Sequence, residues 1–109
     1  MTRFRVIYSD DALKELRGIR RYISRKLNNP SAASKQVAHI MLAAESLAVF
    51  PKLYRVRQVD TDGNEIRFFQ VDNYTIIYYV DESRKTINVI HVIYSRRDID
   101  ALIRPCMRE

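Results

Sequence analysis

The 109 residues, 47% hydrophobic and 29% charged, have a globular composition and a length that fits one domain, residues 1–109, which excludes a disordered chain or a two-domain cofactor enzyme. One cysteine (Cys106), two histidines and two glycines exclude a disulfide framework, a multi-cysteine zinc site and a glycine-rich phosphate loop, so no cofactor or metal is expected. Nineteen Lys and Arg against thirteen Asp and Glu give +6 and favour a polyanionic partner, nucleic acid or an acidic protein segment, while the lack of a long apolar run or secretory leader points to the cytoplasm and away from membranes.

Phe4 to Tyr8 is short, aromatic and β-branched, and predicts a strand. Ser9-Asp10-Asp11 ends that strand and caps a helix. Leu13, Leu16, Ile19, Ile23 and Leu27 recur at helical spacing, with Lys14, Arg17, Arg20, Arg21, Arg25 and Lys26 between them, giving an amphipathic helix with a basic outer side. Asn28-Asn29-Pro30 breaks it and opens a second helix, whose buried stripe is Ala33, Val37, Ile40, Met41, Ala44 and Leu47 and which ends by Phe50-Pro51. Four strands follow, Tyr54 to Val59, Glu65 to Val71, Tyr74 to Val80 and Thr86 to Tyr94, joined by short turns that favour an antiparallel meander. The last two are apolar at nearly every position and should be central. Arg97 to Ile103 predicts a short closing helix before Pro105. The order β-α-α-β-β-β-β-α implies an α+β fold with a helical hairpin packed on one face of a twisted antiparallel sheet.

No carboxylate pair, nucleophile with an adjacent base or metal-ligand spacing stands out. His39 reads as structural or solvent-exposed. His91, inside an apolar strand, is either a hydrogen-bonded interior histidine or a polar group aimed from the sheet into a groove. Arg55 and Arg57, two apart, are expected on one strand face, within reach of Arg67 across the pair. Arg96 and Arg97 follow the last strand next to Tyr94, where guanidinium groups can grip phosphate or carboxylate and a tyrosine can stack on a base. Read singly, each arginine could equally be paired with a nearby acid. Read as a set, Arg55, Arg57, Arg67, His91, Tyr94, Arg96 and Arg97 are the candidate catalytic or target-binding residues.

Asn29-Pro30-Ser31-Ala32-Ala33, Leu47 to Pro51, Ile66-Arg67-Phe68-Phe69, Tyr74-Thr75-Ile76-Ile77-Tyr78 and Ile90 to Asp98 occur in an order that resembles the RelE/ParE superfamily of bacterial toxins over almost the whole chain. The resemblance implies the toxin of a type II toxin-antitoxin module, silenced by a cognate antitoxin whose extended segment wraps it. RelE-like members cut messenger RNA in the ribosome and use basic residues on the sheet to stabilise the developing charge. ParE-like members are not nucleases and poison DNA gyrase. Arg97 matches the RelE-like arginine after the last strand, but Ile103 stands near that pattern's terminal tyrosine, the Tyr74 strand has no lysine, and a final His-Tyr pair is missing. Ile66-Arg67-Phe68-Phe69 and Arg96-Arg97-Asp98 look more ParE-like. The resemblance therefore implies gyrase poisoning ahead of ribosome-dependent mRNA cleavage, with a non-toxic nucleic-acid-binding module as a third reading.

Overall fold

The computed structural model describes residues 3–96, which form β1 (Arg5–Tyr8), α1 (Asp10–Leu27), α2 (Pro30–Ser46), β2 (Val56–Val59), β3 (Glu65–Val71), β4 (Tyr74–Asp81) and β5 (Thr86–Tyr94). This is the expected order; the closing helix over Arg97 to Ile103 lies outside the described residues.

Local chemistry sets the helix boundaries. Ser9 caps α1 by accepting the Ala12 N–H at 3.0 Å, and Asp10 and Asp11 in the first turn with Arg25 and Lys26 in the last complement the helix dipole. Asn28 ends α1 in the left-handed region, with φ 49°. Asn29 then caps α2 by accepting the Ala32 N–H at 3.1 Å, and Pro30 occupies the first turn, where no N–H is needed.

The five strands lie in the order β1-β5-β4-β3-β2. β2 to β5 form the expected antiparallel meander, while β1 pairs in parallel with β5, from Arg5 opposite Thr86 to Tyr8 opposite Val89. The sheet is therefore mixed, because the hairpin and meander between β1 and β5 are long enough to return the chain in the same direction. β4 and β5 are both interior, as their continuous apolar sequences require. β2 starts at Val56 instead of Tyr54, because residues 51–54 still turn, and the Tyr54 carbonyl accepts from the Arg67 guanidinium.

The hairpin covers one face. Ala12, Leu16, Ile40, Ala44 and Leu47 are buried against Val71, Tyr74, Ile76, Tyr78, Ile87, Val89 and Val92. The alanines let the helices approach closely, and Ala12, Ala33 and Ala44 are fully buried. Leu13, Leu27 and Met41, expected in the core, are exposed because they fall at the margins of the stripes or, for Leu27, at the helix end. On the opposite face Ile66, Ile77 and Ile93 form a second buried cluster with Phe68, Tyr79 and Ile90 at its border. Among the described residues no helix is long and apolar enough to cross a membrane.

Two tyrosines report on the core. Burial pushes both Tyr8 and Tyr78 up to about 12, Glu45 adding to the shift at Tyr8 and Arg67 opposing it at Tyr78. A phenol whose folded pKa exceeds its unfolded value of 10 stabilises the fold below pH 10 and loses that contribution as pH rises through about 12. Ultraviolet titration should show Tyr8 and Tyr78 ionising late, together with a fall in unfolding free energy between pH 10 and 12; ionisation of all seven tyrosines near pH 10 would contradict this packing.

Candidate functional site

The candidate residues divide between two regions of the sheet. Arg67 pairs with Val56 on β2 and Tyr78 on β4, so its side chain shares the hairpin-facing side with Tyr78. It is 8% exposed. Its guanidinium donates to the Tyr54 carbonyl at 2.6 Å and lies 3.5 Å from the Glu65 carboxylate, while its buried Nε has no partner among the described residues. Beside it the Tyr78 hydroxyl donates to the Pro51 carbonyl at 3.2 Å, and Tyr54 stacks on Phe69 with ring centres 4.4 Å apart. Arg67 therefore anchors the chain between α2 and β2.

The structure does not bring Arg55, Arg57 and Arg67 onto one face. The β2–β3 register shifts between Val56 and Gln58, and the guanidinium of Arg57 lies 4.7 Å from the centre of the Phe68 ring, on the side opposite Arg67. Arg55 and Arg57 are exposed.

His91 sits where β5 slips by one residue against β4: Ile77 pairs with His91 and Tyr78 with Val89, leaving Ile90 as the extra residue of a bulge. Its Nδ1 is 3.0 Å from the Glu15 carboxylate of α1. The other oxygen of Glu15 accepts the Val92 N–H at 2.9 Å, and the Ser9 hydroxyl donates to the Ile90 carbonyl at 2.8 Å. His91 is thus a part-buried, hydrogen-bonded histidine at the uncovered edge of β5, next to Glu15.

Beyond it lies a groove of about 690 Å³ between α1 and the ends of β4 and β5, walled by Glu15, Ile19, Tyr22, Tyr74 and Tyr94. The Tyr74 and Tyr94 rings meet edge to face at 6.0 Å. Burial raises the Tyr74 pKa, with smaller contributions from Tyr22 and Tyr94. Arg96 is exposed in the turn after β5, where Thr75 and Ser95 share a hydroxyl hydrogen bond of 2.8 Å. Arg97 lies outside the described residues. Glu15, Tyr22 and Tyr74 have no place in the sequence-based set, because only the packing of α1 along the β5 edge shows that they meet.

The two regions stand apart. β3 and β4 separate β2 from β5, roughly 14 Å across the sheet at about 4.8 Å per strand. His39 belongs to neither: its Nδ1 lies 2.7 Å from Asp72 in the β3–β4 turn, and Gln36 donates to the same carboxylate oxygen at 2.9 Å. The hydrogen bonds from Gln36 and then His39 lower the Asp72 pKa. Among the described residues no group of three His, Cys, Asp or Glu could hold a metal ion.

A family model described as the ParE toxin of the type II toxin-antitoxin system, parDE, matches residues 6–99. No curated protein matches. Among solved structures, the chromosomal ParDE toxin-antitoxin system of P. aeruginosa superposes with a TM-score of 0.66 and 15% identity, over 84% of this chain and 95% of that one. The RelBE2 toxin-antitoxin complex of Mycobacterium tuberculosis gives 0.60 and 14% over 84% and 98%. The archaeal RelE-RelB complex of Pyrococcus horikoshii OT3 gives 0.60 and 19% over 89% and 99%. At these identities the likeness establishes the fold.

The different settings of Arg57 and Arg67 predict different costs of removal. Arg67→Ala should lower the unfolding free energy by about 2 kcal/mol, because the Tyr54 carbonyl loses a charged donor. Arg57→Ala should cost about 0.5 kcal/mol, the worth of an exposed cation–π contact. Urea denaturation measures both, and equal losses would contradict the assignment of Arg67 as the anchor.

Proposed function

This chain belongs to the ParE toxin family of type II toxin-antitoxin systems, and we propose that it arrests growth by poisoning DNA gyrase when released from a cognate antitoxin. The observation that carries this reading is the commitment of Arg67. Cutting RNA by attack of its own 2′-hydroxyl calls for a base, an acid and cationic donors converging within hydrogen-bond reach of one phosphate. The arginine that would supply the sheet's charge has a side chain only 9% exposed and points its guanidinium at a backbone carbonyl. His91 is engaged by Glu15, and two strands separate it from Arg55 and Arg57. Arg55, Arg57, Tyr94 and Arg96 remain exposed and form dispersed contacts for a large protein target. Arg97, beyond the described residues, is proposed as a further target contact.

An antitoxin as partner is supported by family membership and by neighbours that are themselves ParDE and RelBE complexes. The +6 charge suits an acidic segment, as oppositely charged surfaces steer association.

The test is tightly controlled expression in a bacterial host, following viable count, nucleoid morphology and messenger RNA ends in the same cells. Filamentation with induced DNA damage and intact messages is expected, and purified chain should trap gyrase on cleaved DNA. New 5′ ends within coding frames before any damage response would overturn gyrase poisoning in favour of ribosome-dependent mRNA cleavage. Unimpaired growth at confirmed expression would leave a nucleic-acid-binding module without toxicity.

A further inference from the structure

The outer face of α1 concentrates charge that no ion pair within the described residues neutralises. Lys14, Arg17, Arg20, Arg21, Arg25 and Lys26 are all exposed, and none of them is in an ion pair among the described residues. At 100° per residue, Lys14, Arg17, Arg21 and Arg25 fall within roughly an 80° arc, opposite the stripe of Ala12, Leu16, Ile19 and Ile23 that packs on the sheet. Arg17, Arg21 and Arg25 follow one another at i, i+4 spacing, about 6 Å apart along the axis. With Arg20, Ser24 and Pro30 they line a shallow depression of about 390 Å³.

Helix electrostatics account for part of this. Arg25 and Lys26 stand in the last turn, where the dipole favours cations. Arg17 and Arg21 stand in the helix interior, where like charges four residues apart repel and weaken the helix. Gly18 adds a second cost, since glycine is a poor former of helix interiors. A Cβ at Gly18 would meet nothing within 4 Å, so packing does not demand the glycine. It lines a second depression beside the arginine stripe, with Arg21, Tyr22, Arg25 and Lys26, where the missing side chain lets a ligand approach the helix backbone. Local rules broken together on one exposed face are the mark of a binding surface.

The chemistry selects the ligand. Guanidinium forks grip phosphate oxygens bidentately, and a helix displays them as a linear array suited to a linear polyanion. Pro30 is the one apolar residue lining the larger depression, so it lacks the buried aromatic or aliphatic anchor that holds a peptide. A phosphodiester backbone needs no such anchor, because its affinity comes from the release of counterions. We propose that the outer face of α1 is a phosphodiester-binding surface that seats the backbone of a nucleic acid without reading its sequence. Contacts to phosphate position a protein but carry no base information.

The test uses the purified full chain and a fluorescently labelled duplex DNA of about 20 base pairs in mixed sequence, titrated by anisotropy between about 50 and 200 mM NaCl. The assay contains neither gyrase nor ribosome, so its result stands apart from the target proposed above. Log K should fall linearly with log salt, and each of Arg17→Gln, Arg21→Gln and Arg25→Gln should reduce the slope by about 0.9. The triple variant should lose about 2.7 in slope, while Arg84→Gln, at an exposed arginine in the β4–β5 turn, should leave it unchanged. Circular dichroism checks that each variant keeps its helices. A single-stranded RNA of the same length, with a slope near 0.7 per contact, tells whether the backbone is that of a duplex or a single strand, and tighter binding of either supports the surface. No binding at low salt, a triple variant that binds as the parent does, or equal competition by polyglutamate at matched charge would overturn it.

Discussion

The way β5 is finished governs the arrangement around it. β1 covers β5 only from Thr86 to Val89, after which the chain departs at Ser9, yet β5 continues to Tyr94. A strand edge left open in this way presents unpaired N–H and C=O groups. Two side chains from the start of α1 take the place of a sixth strand: Ser9 donates to the Ile90 carbonyl, and Glu15 accepts the Val92 N–H. Ser9 also caps α1, so a single hydroxyl fixes where the helix begins and where it meets the sheet. Glu15, six residues on, fixes the rotation of the helix about its axis. Once that rotation is set, Leu16, Ile19 and Ile23 must face the sheet, Tyr22 must overhang the groove by Tyr74 and Tyr94, and the arginines must face outward.

A second constraint is the burial of Arg67. A guanidinium leaves water only where hydrogen bonds replace those it loses. Here the replacement comes from the Tyr54 carbonyl and, at longer range, from Glu65. Together with the Tyr78 hydroxyl on Pro51 and the stacking of Tyr54 on Phe69, this ties the connection between α2 and β2 to the sheet. Val56 pairs with Arg67 and shares its face, so Arg57, the next residue along, points to the opposite face, over Phe68.

The architecture was legible in the sequence wherever a local rule and a hydrophobic period agreed. Ser9, Asn28-Asn29-Pro30 and the turn clusters mark element ends by their own hydrogen-bonding chemistry, and β4 and β5 announce their interior position by continuous apolar runs. The direction of β1 was not legible, because a four-residue apolar strand carries no record of whether its neighbour runs with it or against it. The grouping of the arginines was misread for a related reason. Alternation along a strand places Arg55 and Arg57 together, but that Arg67 pairs with Val56 between them, and so lies on the other face, is decided by a register that pairs residues distant in sequence. Glu15 is the instructive omission: at its position in the helix it reads as one more surface acid, and only the open edge of β5 gives it a role.

Where the chain displays unpaired charge follows from the same economy of partners. Many of its acids are already engaged within the fold. Asp60 holds the β2–β3 turn by accepting from the Asp62 and Asn64 N–H groups, Asp72 is held by Gln36 and His39, Asp81 by Ser83 and the Arg84 N–H, and Glu15 by β5. Asp10 and Asp11 lie at the positive end of the α1 dipole. Hydrogen bonds lower the pKa of both Asp72 and Asp81, whose carboxylates are held by local donors at the surface. The six cations of α1 are exposed and in no ion pair among the described residues, and only Arg25 and Lys26, in the last turn, serve the helix dipole. An anionic partner meeting this face would displace only water and counterions, with no internal ion pair of the toxin to break. Its approach would be fast, and its hold would weaken as salt screens the field.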